Sequence, residues 1–215
     1  MISGVALLVT GADNIQRNDS NVRRERYIEY MLSLHKLFSY NIPVYGVLSE
    51  CNHSVKENVP PFEQFPFRIL TKIEAGHLNN YTKSQKEFAS ISKLLHHMKD
   101  QEIEDETFII KCSGRYLIIN DLFVATVQKN VNNSDVNAII KLCDDGVQQY
   151  TFLYALRYKY FKKFFEKDVH TLGYKNIEQI ALEFLIENDL MKTTIVVNTL
   201  GILTNINNEG LFRIY

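Results

Sequence analysis

The run "VALLV", Val5 to Val9, is apolar at every position. A strand with one wet face alternates apolar and polar residues. A strand that does not alternate is covered on both faces, as in sheets with helices packed on either side. "TFIIKC", Thr107 to Cys112, opens in the same manner. Between these two runs the hydrophobic period changes. Tyr27, Tyr30, Met31, Leu34, Leu37 and Phe38 recur at helical spacing, with Ser20 or Asn21 available as cap and Asn41 before Ile42-Pro43 as the stop. "VYGVLSE" is a second strand ending in Glu50, and the Pro-rich "NVPPFEQFPF" leads to a short third strand around Arg68 to Leu70. A second helix follows: Thr82 and Gln85 have capping-box spacing, and Phe88, Ile91, Leu94 and Leu95 form its apolar face.

Strand, helix, strand, strand, helix, strand is the order of an α/β domain on a mainly parallel sheet. The second half is more mixed. "VNAIIKLC" and "QQYTFLYAL" read as strands separated by the turn "DDG". "KYFKKFFEK" reads as a helix, "NIEQIALEFLIEN" as an amphipathic helix capped by Asn176, and "TTIVVNTLGIL" as a closing strand. No repeat, low-complexity tract or linker interrupts the 215 residues. The expectation is one α/β domain over 1–215, with a central, mainly parallel mixed sheet flanked by helices.

Composition bounds the function. Lys and Arg number 24 against 25 Asp and Glu, a net charge of -1 that argues against a general nucleic-acid binder but leaves room for a small anion at a local cluster of donors. Cys51, Cys112 and Cys143 are far apart, have no metal-ligand spacing and fit reduced thiols. The apolar run at the start is too short for a secretory core or a membrane span. A cytoplasmic location is expected, with no transmembrane segment.

In open α/β sheets, ligands bind outside the carboxyl ends of the strands. Here those ends carry Thr10-Gly11-Ala12-Asp13, Ser49-Glu50 and Ser113-Gly114-Arg115. Glycine allows close backbone approach, Arg115 can clamp a phosphate, and Glu50 can accept from a ribose hydroxyl or a base N–H. That is the profile of a nucleotide pocket, although loop residues are polar in any case. No Gly-x-x-x-x-Gly-Lys-Ser/Thr loop, Gly-x-Gly-x-x-Gly fingerprint or Gly-x-Ser-x-Gly elbow occurs, which argues against a P-loop NTPase, a Rossmann dehydrogenase and a serine hydrolase.

Four stretches in order, "NNYTKSQKEFASI", "FIIKCSGRYLI", "YTFLYALRYKYFKKFF" and "NIEQIALEFLI", resemble small viral and bacterial GT-A-type glycosyltransferase-like proteins. The Lys-x-Ser/Thr-Gly-Arg-Tyr stretch is the most distinctive. The resemblance implies transfer of a sugar from a nucleotide-sugar donor, most readily a UDP-sugar, to a glycan hydroxyl, with inversion. Base and ribose would rest near Thr10, Gly11 and Glu50. Lys83 and Arg115, with Ser113 and Gly114 beside them, would face the diphosphate, helped by the start of the helix after Thr82. Lys111 is a further candidate, unless strand alternation turns it away. Glu178 is the first choice for the base that takes the acceptor's proton, with Asp144 and Asp145 in reserve.

The pattern departs from that family at one place. Where many GT-A enzymes carry a metal-binding Asp-x-Asp, this chain has Ser113-Gly114-Arg115. Either Arg and Lys replace a divalent Mn or Mg ion, the alternative favoured here, or scattered groups such as Asp144, Asp145 and His170 hold one. Other residues have plainer readings. Glu178 suits any helix N-terminus and "CDDG" any hairpin turn. Arg157, Lys159, Lys162 and Lys163 form a solvated face, and Arg23, Arg24 and Arg26 begin a helix at the surface. Two rival functions remain, a sugar-phosphate nucleotidyltransferase and a non-catalytic GT-A-like interaction module.

Overall fold

A computed structural model describes residues 4–12, 20–51, 61–74, 76–173, 175–206 and 211–215, with side chains for all of these but 20–23, 50, 51, 205, 206 and 211–213. In chain order its elements begin with β1 (Val5–Ala12), α1 (Ser20–Phe38), β2 (Val44–Cys51), β3 (Ile69–Glu74) and α2 (Lys83–His97). Next come β4 (Phe108–Ser113), β5 (Leu117–Ile118), α3 (Leu122–Lys129), β6 (Ala138–Ile140), β7 (Leu153–Arg157) and α4 (Tyr158–Phe165). The chain ends with α5 (Ile177–Glu187), β8 (Thr194–Val196), β9 (Ile202–Ile206) and β10 (Leu211–Ile214).

Seven strands form one sheet in the order β3-β2-β1-β4-β7-β6-β8. β1 pairs in parallel with both β2 and β4, and β2 with β3; β7 alone runs against its neighbours β4 and β6. β1 therefore has sheet on both edges and helices on both faces. Val5, Leu7 and Val9 enter the core beneath α1 and α3, whereas Ala6 and Leu8 enter the core beneath α2, α4 and α5. This two-sided burial accounts for the lack of alternation in "VALLV". A second sheet, β10-β9-β5, is antiparallel.

Local signals act as expected in several places. Asn41 adopts a φ of 54° just past α1, a left-handed stop that asparagine tolerates better than most residues. Thr82 and Gln85 form the full capping box of α2. Other segments differ. The third strand extends to Glu74, and residues 122–129, left without assignment by hydrophobic period, form α3. "TTIVVNTLGIL" is not one strand but two. Thr194–Val196 closes the main sheet, and from Ile202 the chain enters the second sheet after Gly201, whose φ is 64°. A Cβ at Gly201 would collide with the Asn120 amide, so glycine is needed there on both counts.

Arg157 is the largest correction. Far from lying on a solvated face, it is 1% exposed at the end of β7. Its guanidinium sits 3.9 Å over the Phe108 ring. Its nitrogens donate to the carbonyls of Asn130 (3.1 Å), Val131 (2.9 Å), Asn133 (2.8 Å), Val136 (3.0 Å) and Glu106. One planar donor fork thus satisfies the backbone of the loop between α3 and β6, which has no ladder of its own. Lys159 and Lys162 pair instead with Glu106 and Asp105 on the outside. Arg157→Met, which keeps the volume and removes the donors, is expected to lower stability by about 3 kcal/mol or more. Arg157→Lys is expected to recover little of this, because one ammonium cannot span five carbonyls. Urea unfolding of the three proteins measures both.

Candidate functional site

The carboxyl ends of β1, β2 and β4 meet at one edge of the sheet. Gly114 N–H donates to Thr10 O at 2.8 Å, and Ser49 Oγ donates to Gly11 O at 3.2 Å. The structure thus brings Thr10, Gly11, Ser49, Ser113, Gly114 and Arg115 together. Glu50 lies at the end of β2, with its side chain outside the described residues, as is Asp13.

The two glycines serve packing here. A Cβ on Gly11 would lie 2.5 Å from Phe62 Cζ, and one on Gly114 would lie 3.1 Å from the same atom and 2.9 Å from Val9 Cγ1. Phe62 is fully buried, with its edge toward Tyr30 and its face stacked on Phe67. The close approach the glycines permit is therefore to this ring, which supports the strand ends from the α1 side.

Side chains leave this edge toward opposite faces of the sheet. On the α2–α5 side, Lys111 is 1% exposed. Its ammonium pairs with Glu87 of α2, donates to Thr151 O at 2.7 Å and reaches Ser113 Oγ at 3.4 Å. Three donors have three protein partners, so the expectation that Lys111 faces a diphosphate is corrected: it is an internal cation. Thr151 Oγ1 in turn donates to Glu178 Oε1 at 3.1 Å, and Gln149 N–H donates to Glu178 O at 3.3 Å. Ser84 Oγ accepts from Ile177 N–H at 3.0 Å, which ties the first turns of α2 and α5 together. Lys83 is exposed at the first position of α2. Two helix N-termini, each favouring negative charge, therefore open at one place. Close by, Gln149 Oε1 and Tyr154 Oη are buried without a partner among the described residues.

Glu178 is half-buried in the first turn of α5, whose N-cap is Asn176 as expected from sequence. Asp144 and Asp145 lie in the turn between the strands, which Gly146 completes with a φ of 68°; Asp145 Oδ1 accepts from Val147 N–H at 3.0 Å. Cys143 immediately precedes that turn. Burial, then Asp145, Glu178 and Asp144, push that thiol up to about 11, so it stays protonated at neutral pH and offers no thiolate nucleophile. His170 is elsewhere, with its ring against Tyr81. The set Asp144, Asp145 and His170 does not assemble. Among the described residues no three His, Cys, Asp or Glu side chains come together to hold a metal ion.

On the α1 side, Tyr30 Oη accepts from Ala12 N–H at 3.0 Å and Ser33 Oγ donates to Tyr116 O at 2.8 Å. Arg115 is half-buried, with Nη2 donating to Tyr116 Oη at 3.2 Å. Burial works against its charge, but Tyr116, Tyr30 and Glu29 outweigh this and hold it above the ordinary arginine value. Arg26 is half-buried beside it, not at the surface as its place near a helix start suggests. Arg26, Glu87 and Thr151 are the site residues that pattern reading misses. A signal existed for two of them. Arg26 is in helical register with Tyr30 and Leu37, and Glu87 with Ile91 and Leu94, so each is an ionic residue on a buried stripe.

No helix among the described residues is long and apolar enough to cross a membrane. No family model matches the sequence. No curated protein matches it. Solved structures do match its fold. A protein from Desulfovibrio desulfuricans assigned as a nucleotide-diphospho-sugar transferase shares 13% identity, with 91% of this chain and 80% of that one superposed at a TM-score of 0.51. A cytidylyltransferase from Leptospira borgpetersenii shares 11% identity over 91% of this chain and 76% of that one, with a TM-score of 0.52. At such identities the likeness is one of architecture, and together with the sheet order it shows that this chain has the nucleotide-diphospho-sugar transferase fold.

Proposed function

We propose that the chain is a transferase that takes a nucleotide-sugar donor and passes the sugar to a glycan hydroxyl. The observation that carries this reading is the strand-end edge that has Arg115, bonded to Tyr116, on its α1 side and the joined N-termini of α2 and α5 on its other side. Cations and free N–H groups on an α/β sheet edge suit a diphosphate. The donor's base and ribose rest near Thr10, Gly11 and Glu50, and its diphosphate near Arg115 and Lys83. The acceptor oxygen bonds to the anomeric carbon as the bond from that carbon to the diphosphate oxygen breaks. Its proton passes to the Glu178 carboxylate, and the electron pair leaves with the nucleoside diphosphate, whose added charge the cations stabilise. Attack opposite the leaving group inverts the anomeric centre. Thr151 holds one oxygen of Glu178, which leaves the other for the acceptor. Asp144 and Asp145 are the reserve bases. The free thiols Cys112 and Cys143 accord with a cytoplasmic setting.

The likeness to a cytidylyltransferase favours a second reading, in which the same edge binds a nucleoside triphosphate and a sugar phosphate and releases pyrophosphate. Thermal shift with UDP-, GDP-, CMP- and dTDP-sugars and with CTP, each in Mn²⁺ and in EDTA, separates the two. Stabilisation by one nucleotide-sugar family and not by CTP is the expected result. Stabilisation by CTP alone would move the assignment to the nucleotidyltransferase, and none by any nucleotide to a non-catalytic module.

Once the donor is known, Arg115→Ala is expected to weaken its binding by about tenfold or more. Glu178→Gln is expected to leave donor binding unchanged and to lower turnover by about a hundredfold or more. Calorimetry and release of nucleoside diphosphate measure the two effects.

A further inference from the structure

Along α1, Arg26, Tyr30, Ser33 and Leu37 fall at i, i+4, i+7 and i+11 and share one stripe. The last three of these are buried against the sheet, and two are fixed by hydrogen bonds already described, Tyr30 to Ala12 and Ser33 to Tyr116. Arg26, one turn ahead of Tyr30 on this stripe, is half-buried one turn beyond the contact with Ala12 at the end of β1. Arg115 reaches the same region from the end of β4, its guanidinium carbon 4.9 Å from the centre of the Tyr116 ring. Burial, and next the Arg115 charge, push Arg26 below the ordinary arginine value, against the opposing pull of Tyr30, Glu29 and Tyr116. Glu29 offsets both guanidiniums in part. Two like charges near one strand end repel each other. An anion shared between them reverses the sign of that interaction, and two guanidinium forks match the oxygens of linked phosphates.

We propose that Arg26 and Arg115 form a two-arginine clamp for a diphosphate group, with α1 supplying the second cation. The identity of the ligand as a nucleotide diphosphate rests on the donor reading above. The chemistry itself is common to a nucleoside diphosphate and to free pyrophosphate. The two arginines stand on different elements, one on a helix packed on the sheet and the other at a strand end. The backbone at both positions is thus fixed before binding.

Titration calorimetry of the full chain in EDTA, with inorganic pyrophosphate and with uridine diphosphate as probes, tests the clamp. Arg26→Gln and Arg115→Gln are each expected to weaken binding by about tenfold or more. Arg26→Lys, which keeps the charge and loses the fork, is expected to fall between Arg26→Gln and the parent protein. Arg24→Gln, an exposed position on α1, is expected to bind as the parent does. Unaltered affinity in Arg26→Gln, or no binding of either probe by the parent protein, overturns the clamp. Should Arg26→Gln fail to fold, equal affinity in Arg26→Lys overturns it instead. The thermal-shift nucleotides separate this result from the donor reading. Donor binding that Arg26→Gln leaves intact removes the clamp and keeps the donor. Pyrophosphate binding that depends on Arg26, in a protein that no nucleotide sugar stabilises, keeps the clamp and removes the donor.

Discussion

The buried ammonium of Lys111 joins the two halves of this protein. It stands on the inner face of β4, takes the Glu87 carboxylate from α2 and holds the backbone of Thr151 just before β7. A lone ammonium at that depth would cost several kcal/mol in lost hydration. The Glu87 charge and the Thr151 carbonyl offset that cost only if α2, β4 and the segment before β7 all sit where they do. A polar group with one low-energy arrangement acts as a register pin. The apolar residues around it set how much surface is buried, whereas Lys111 sets which element lies against which.

A second internal cation does the same at the other end of the same strand pair. Phe108 of β4 pairs with Arg157 of β7, and Lys111 with Tyr154, so the two cations stand toward opposite ends of the antiparallel β4–β7 pairing in the middle of a mainly parallel sheet. Arg157 satisfies loop carbonyls and Lys111 satisfies a carbonyl and a carboxylate. This pairing is where the strand–helix alternation of the first half gives way to the mixed second half. A reversed strand needs a defined register, because a slip by one residue would turn every side chain to the wrong face. Cations that bond only in one alignment supply that definition in addition to hydrophobic burial.

The legible part of the sequence was the part governed by period and by caps. "VALLV" has no alternation because both faces of β1 are covered, and Thr82 with Gln85 announces α2 through a purely local bond pattern. What escaped depends on tertiary partners. Arg157 has the composition of a surface residue and becomes internal only because four carbonyls of the loop between α3 and β6, and that of Glu106 before β4, converge on it. Gly11 and Gly114 signalled close approach correctly, yet the approaching group is Phe62, which no local pattern identifies. The split of residues 193–203 between two sheets turns on Gly201 and its contact with Asn120, again a long-range cause. α3 was missed because eight residues give barely two helical turns from which to read a period.

The arrangement of charge around the strand ends carries a chemical consequence on the proposed reading. A transferase of this kind needs cations for the departing diphosphate and a carboxylate able to accept a proton, and placed side by side these would neutralise each other. Here the edge of the sheet keeps the two arginines apart from that carboxylate. Arg115 and Arg26 turn to the α1 side, whereas Glu178 lies on the α5 side, bonded to a neutral hydroxyl. Lys111 is the cation best placed to disturb this separation, since only Thr151 stands between it and Glu178. Glu87 takes up its charge from the opposite direction. With Lys111 so paired, the bond from Thr151 positions the Glu178 carboxylate without joining it in a salt bridge. The residue that fixes the register of the sheet thus also helps keep the base and the two arginines as separate charges.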